Sequence, residues 1–203
     1  MKTKAKDLRV IRTRALLCQA LEKMLKTTPI KDININDICA EAMVNRSTFY
    51  KHFNDKYDFL QYYVAQASEK IYDIAKDKIF DETSEITTVD IIKEIEKYDD
   101  IIFNILQNDR GNMSFNEFMS DTIVEYCYSK FQQWAPFINP HQSIKVLSQF
   151  YAGGLLTIIL NWVRDKDRPD RMSAEDLAEQ INAMFENVKG YLRNIANGTK
   201  NQF

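Results

Sequence analysis

Ile35-Asn-Asp-Ile-Cys-Ala-Glu-Ala-Met-Val-Asn-Arg-Ser-Thr-Phe-Tyr-Lys-His-Phe-Asn-Asp-Lys-Tyr-Asp-Phe59 is the stretch on which the fold turns. It reads as two short helices around a tight turn. Asn36 is placed to cap the first, its side-chain oxygen accepting from an orphan backbone N–H. Ile38, Ala42 and Val44 then face inward. Asn45 is placed to cap the second, which the pattern runs from Arg46 to His52. Phe49 and Phe53 are four residues apart, so they share one face and can anchor that helix in a core. Arg46, Ser47, Tyr50 and Lys51 lie mainly on other sides. A short helix held by aromatics and showing Arg, Ser, Tyr and Lys outward suits insertion into a DNA major groove.

The run Ile38-Cys-Ala-Glu-Ala-Met-Val-Asn-Arg-Ser-Thr-Phe-Tyr-Lys-His-Phe53, followed by Lys56, resembles the DNA-binding segment of the TetR family of transcriptional regulators. That family typically reads Ile-Ala, then Ala-Gly-Val-Ser, then Thr-Phe-Tyr-x-His-Phe and a Lys. Met43 stands where the family usually has Gly, so a left-handed backbone there would be strained. Asn45 stands where Ser is usual and keeps the capping ability. The resemblance implies an all-α fold of about nine helices. A three-helix helix-turn-helix reader at 1–56 would be joined by a long helix to a regulatory and dimerisation body at 57–203. It also implies roles. Arg46, Ser47 and Lys51 would reach base edges, Arg46 foremost because a guanidinium pairs bidentately with guanine. Asn36, Thr48, Tyr50, His52 and Lys56 would contact phosphate, holding register rather than reading sequence.

Charge distribution agrees with a reader on a separate body. The net charge is −2, but residues 1–56 hold 12 Lys+Arg against 6 Asp+Glu, a net +6. Residues 57–203 hold 15 against 23, a net −8. A basic head is what a phosphate backbone attracts. With 203 residues, 45% of them hydrophobic, the chain can bury a real core, and only 5 Gly and 4 Pro favour long helices over a turn-rich β fold. Cys18, Cys39 and Cys127 are odd in number and widely spaced, which fits neither a disulfide framework nor a zinc site. They read as small buried hydrophobes of a reducing cytosol. No signal-peptide pattern and no uninterrupted apolar run of membrane-spanning length is present, so the expectation is a cytoplasmic protein with no membrane partner. His52 and His141 are the only histidines. No Gly-rich phosphate loop, metal cluster or nucleophile motif accompanies them, so the expectation is no enzyme, no cofactor and no metal.

Taken in order, residues 1–7 read as a polar, basic, frayed tail, with an arm that contacts phosphate or reaches a minor groove as the alternative. A first helix is predicted from Asp7 to Lys26, with Val10, Leu17, Ala20, Leu21, Met24 and Leu25 as its core stripe, ended by Pro29. After the reader, Asn54-Asp55 reads as turn and cap, and a long helix is predicted over Lys56–Phe80. Residues 81–87 are a polar break. The body is predicted as helices over Val89–Lys97, Ile101–Gln107, Ser114–Trp134, Gln142–Val163 and from a Ser173-Ala-Glu-Asp176 capping box to Asn194. Asn108–Asn112 reads as a turn, and Pro136 and Pro140 bracket a loop.

The helix at 142–163 is apolar nearly all round, and Gly153-Gly154 in its middle would permit close approach of another backbone. In the family the last two helices pair with their symmetry mates. A homodimer interface is therefore expected at Phe150, Gly153, Gly154, Ile158, Trp162, Ile181, Phe185 and Val188. Family members commonly bind a small molecule between the body's helices. Phe103, Phe115, Phe118, Tyr126, Trp134 and Tyr151 mark the neighbourhood where such a pocket is expected, and the scarcity of charge there points to an apolar or aromatic effector. The function expected is a dimeric repressor released from a palindromic double-stranded DNA operator by that effector. The alternative is the same fold acting as an activator, or through protein partners without a ligand.

Overall fold

Backbone chemistry in the first 60 residues sets up a helix-turn-helix before any long-range packing is considered. The computed structural model describes residues 2–79, 88–107, 109–134 and 143–200. Among these, every regular element is helical: α1 (Lys2–Leu25), α2 (Ile35–Glu41), α3 (Arg46–Phe49), α4 (Lys56–Ile79), α5 (Thr88–Glu96), α6 (Asp99–Leu106), α7 (Asp109–Trp134), α8 (Ser143–Arg164) and α9 (Ala174–Lys200). The all-α expectation holds. The polar break at 81–87 and the Pro136–Pro140 loop lie outside the described residues.

Several boundaries differ from the sequence expectation, each for a local reason. α1 starts at Lys2, so most of the expected tail is helical; Lys and Ala are good helix formers and no breaker precedes Pro29. Asn34, not Asn36, caps α2: its side-chain oxygen accepts from the Asp37 N–H at 3.1 Å. The Asp37 carboxylate accepts in turn from the Asn34 amide, which closes the cap two residues earlier than expected. α3 is one turn long and its chain then tightens, with His52 N donating to Phe49 O at 2.9 Å. Asn45 holds the N-cap position of α3 without a side-chain capping bond. α7 begins at Asp109, inside the expected turn. Gly111 costs a helix only about 1 kcal/mol, which a long helix absorbs. α9 runs past Asn194 to Lys200. Its start is as expected: Ser173 Oγ accepts from the Asp176 N–H at 3.0 Å and donates to the Asp176 carboxylate at 2.7 Å.

The chain forms two compact units. The first holds 1–67 and 98–115, so α6 belongs with α1 to α3. Asn104 makes that attachment: its Nδ2 donates to Leu25 O at 2.9 Å and its carbonyl accepts from Ile30 N at 3.1 Å. Leu17, Leu21, Leu25, Ile30, Ile38, Phe49, Phe59 and Leu60 are fully buried in it. The second unit holds 68–97 and 116–203. There α5 lies against α9, with Ile92, Ile95, Ala178 and Ile181 buried. Cys39 and Cys127 are buried and Cys18 half-buried, and among the described residues none of the three is in a disulfide. Burial pushes the Cys127 thiol up to about 12, so it behaves as a small hydrophobe. By length and composition alone, Ile144–Arg164 would be long and apolar enough to cross a membrane. Ile144, Ser148, Ala152, Leu155, Trp162 and Val163 of α8 are nevertheless buried in the second unit.

Candidate nucleic-acid interface

The site is built on one aromatic cluster. Phe49 and Phe59 are fully buried, with ring centroids 5.6 Å apart and edge to face. Phe53 joins both, at 5.6 Å from Phe49 and 4.7 Å from Phe59, and meets Tyr62 at 5.4 Å. Arg14 of α1 lies over Tyr62 at 5.0 Å and over Phe53 at 5.7 Å, tying the first helix to the cluster. These contacts fix the roll of α3. The opposite side carries Arg46, Ser47, Tyr50 and Lys51, all exposed. Arg46 Nη2 donates to Tyr50 OH at 3.3 Å, which favours the charged guanidinium and gives its long side chain a preferred direction.

The turn before α3 is a Schellman motif. Val44 N donates to Cys39 O at 2.9 Å and Met43 N to Ala40 O at 3.1 Å. That closure needs a left-handed residue after the cap, and Met43 takes it with φ 52°. Its side chain points into solvent, 93% exposed. The strain expected from a non-glycine residue here is therefore present, about 1–2 kcal/mol.

Lys56 is engaged within the chain. Its ammonium donates to the carbonyls of Ile30 at 2.8 Å, Lys31 at 3.0 Å and Ile33 at 2.8 Å. An ammonium has three N–H groups, and three carbonyls take them. Lys56 thus stitches the start of α4 to the segment before α2. Asp55 caps α4, accepting from Tyr57 N at 2.7 Å and Asp58 N at 2.9 Å. Asn36 is exposed beside a groove that Arg46, Tyr50 and Lys56 also line. Thr48 and His52 are half-buried. Desolvation, then Arg14 and Lys51, hold His52 below its ordinary pKa, so at neutral pH it is an uncharged donor.

A TetR-type family model, described as the transcriptional regulator C-terminal region, matches residues 82–187. The chain belongs to the TetR family of transcriptional regulators. The matched region takes in α5 to α8 and the start of α9, and the helix-turn-helix of α2 and α3 precedes it. A TetR-family regulator structure from Syntrophomonas wolfei is similar, with TM-score 0.64 and 14% identity over 87% of this chain and 94% of that one. A TetR regulator from Streptococcus agalactiae gives TM-score 0.54 and 21% identity over 90% and 98%. At these identities the likeness is one of fold. No curated protein matches the chain in sequence.

In this TetR body the expected pocket aromatics separate. Phe103 and Phe115 fall in the first unit. Phe118, Tyr126, Trp134 and Tyr151 fall in the second, where Tyr126 alone of the six lines the apolar cavity of about 140 Å³. The rest of that lining is mainly isoleucine, with Met119, Leu155 and Phe185. Scattered isoleucines on α5, α7, α8 and α9 carry no pocket signal in sequence, because each reads as ordinary core. Trp134 and Tyr151 instead join Phe131 and Phe185 in an aromatic cluster, with Tyr151 and Phe185 stacked at 6.4 Å. Lys130 sits over the rings of Tyr126 and Trp134 at 5.6 Å and Phe185 at 5.8 Å, and donates to Tyr126 OH at 3.3 Å. Burial, then repulsion from Lys189, pushes its pKa down to about 8.

The residues expected at a dimer interface separate as well. Phe150, Gly153 and Gly154 are exposed and Ile158 is half-buried. Among the described residues nothing lies within 4 Å of a Cβ built on either glycine, so no described backbone of another element approaches them. Ile181 and Val188 are buried, and Phe185 is half-buried on the cavity wall. Trp162 is also buried, and its indole donates to Met172 O at 2.7 Å while Arg171 stacks on it at 3.7 Å. It pins the loop between α8 and α9.

Proposed function

We propose that this TetR-family regulator is a dimeric repressor that holds a palindromic operator with one α3 from each copy and lets go when a small apolar effector fills the body. Residues 1–56 form the reader and 57–203 the regulatory and dimerisation part. The observation that carries the reading is α3 itself: Phe49 is fully buried beneath it while Arg46, Ser47 and Lys51 face solvent. Those three contact base edges. Tyr50, Thr48, His52 and Asn36 contact phosphate, and Lys56 supports them by fixing the backbone on which they stand. The exposed face of α8 around Phe150, Gly153, Gly154 and Ile158 pairs with its copy, since two glycines let backbones approach and Phe150 is 75% exposed. Release requires the effector to prefer the body conformation whose two heads do not match half-sites about 34 Å apart. A reader of chromosomal DNA works in the cytoplasm.

The test is binding of the purified chain to DNA flanking its own gene across a salt series. Sequence-selective binding that falls steeply with salt is the expected result. If selection from whole-genome fragments also returns no preferred sequence, the DNA reading fails. Light scattering that returns a monomer removes the dimer.

A further inference from the structure

We infer that the cavity between α4, α5, α7, α8 and α9 is a binding site for an uncharged, ring-sized hydrocarbon-like molecule, one with no obligatory hydrogen-bonding head group. This deepens the effector reading above and rests on it only for the consequence of binding, not for the binding itself. The cavity measures about 140 Å³. An engineered apolar cavity of about 150 Å³ stays dry and takes up benzene, so the size fits one six-membered ring with a small substituent.

The chemistry of the lining excludes more than it admits. Among the described residues, no charged side chain is part of it. Aliphatic side chains, Ile91, Ile92, Ile95, Ile123, Leu155 and Ile159 among them, make much of the wall. Four polar side chains reach it, and each is already engaged within the chain. Ser68 Oγ donates to the Met119 sulfur at 3.2 Å. Thr122 Oγ1 donates to Phe118 O at 3.1 Å. Thr88 Oγ1 bonds the Asn182 side chain. Tyr126 OH accepts from Lys130 at 3.3 Å. A ligand carboxylate entering here would leave its hydration shell, and among the described lining residues the hydroxyl protons of Ser68, Thr88 and Thr122 are already given to partners in the chain, a loss that apolar burial of one ring does not offset. A ligand ammonium would give up its hydration shell for single hydroxyl lone pairs and be repelled by Lys130, which lies over the Tyr126 and Phe185 rings. A neutral ring loses nothing and gains dispersion contacts that the empty cavity lacks.

The experiment uses the full chain without DNA. Toluene, phenol, benzoate and benzylammonium, close in size and different in polarity, are titrated by calorimetry and by thermal shift. Toluene is expected to bind and raise Tm, with benzoate and benzylammonium at least about ten-fold weaker and phenol between. Ile159→Phe, which fills the space, is expected to abolish the toluene shift while melting normally. Thr122→Val, which keeps the volume and removes only the hydroxyl, is expected to preserve it and guards against Ile159→Phe failing to fold. Benzoate binding more tightly than toluene, no binding by any of the four, or loss of toluene binding in Thr122→Val would each overturn the inference. If toluene binds but leaves a DNA complex intact, the site stands and the effector-release reading fails instead.

Discussion

Two aromatic clusters, one in each unit, have nearly the same parts and opposite outcomes. In the head, Phe49, Phe53, Phe59 and Tyr62 close around each other with the Arg14 guanidinium on two of the rings. In the body, Tyr126, Phe131, Trp134, Tyr151 and Phe185 gather with the Lys130 ammonium over three of theirs. The head cluster fills its space, with Phe49 and Phe59 inaccessible to solvent. The body cluster leaves a cavity against Tyr126 and Phe185. The cations differ too. A guanidinium is weakly hydrated and stacks on rings at little cost, whereas a desolvated ammonium gives up strong hydration, and Lys130 is pushed down to about 8. The difference is one of rigidity against space: complete packing holds α3 still, and incomplete packing leaves the body room for the ligand proposed above.

Truncation is the hardest blow to that comparison. Phe49→Ala should cost about 3–5 kcal/mol, the range for deleting a fully buried ring, and abolish DNA binding. Phe185→Ala, at the edge of existing empty space, should cost less than half of that. Equal losses in urea melts would mean the two clusters are packed alike. Lys56→Ala comes next. Three carbonyls lose a charged donor, for about 2 kcal/mol of stability, and DNA affinity should fall alike for all sequences. Weaker binding with an unchanged Tm would show instead that Lys56 acts on phosphate directly. Arg46→Ala is exposed and should leave the melt alone while relaxing specificity at one or two operator positions by about 1–3 kcal/mol; a competition assay over single-base variants reads this.

Lys130→Met tests the body's cation, and the sign follows from linkage. A lysine whose folded pKa is depressed to about 8 from 10.5 binds fewer protons folded than unfolded between those values. The wild type should therefore gain stability as pH rises from 8 toward 10.5. Below pH 8 the full penalty is present, and Lys130→Met should be about 1 kcal/mol more stable there once its partial solvation and lost ring contacts are allowed for. A melt series at pH 7 and pH 10 in which the substitution makes the same difference at both would contradict this. The smallest effect is expected at the turn: Met43→Gly should relieve the left-handed strain and raise stability by up to about 1 kcal/mol, with unchanged operator preference.

Local chemistry made the head readable. Spacing of four between Phe49 and Phe53, polar residues on the opposite side of one turn, and the family's Thr-Phe-Tyr-x-His-Phe run all sit within a few residues. The turn strain at Met43 was legible because a C-terminal cap requires a positive φ whatever surrounds it. The cap of α2 was less legible: Asn34 and Asn36 are the same residue type, and α2 starts after Asn34 because its side chain meets the Asp37 N–H. The intrachain bonds of Lys56 were out of reach for a related reason. Its charge is visible in sequence, but the three carbonyls that take it up come from 23 to 26 residues earlier.

The chain's sequence by itself determined the class of fold, the place of the reader and which side chains of α3 are polar, because helical periodicity and turn chemistry act over a few residues. Tertiary structure alone decided the rest. It brought α6 back to the head through Asn104, buried Trp162 against the loop it pins, left Phe150 and the two glycines uncovered, and opened a cavity among isoleucines from separate helices. Each of those outcomes depends on which faces meet across long stretches of chain, and an apolar residue carries no mark of whether its neighbour will be another side chain or an empty space.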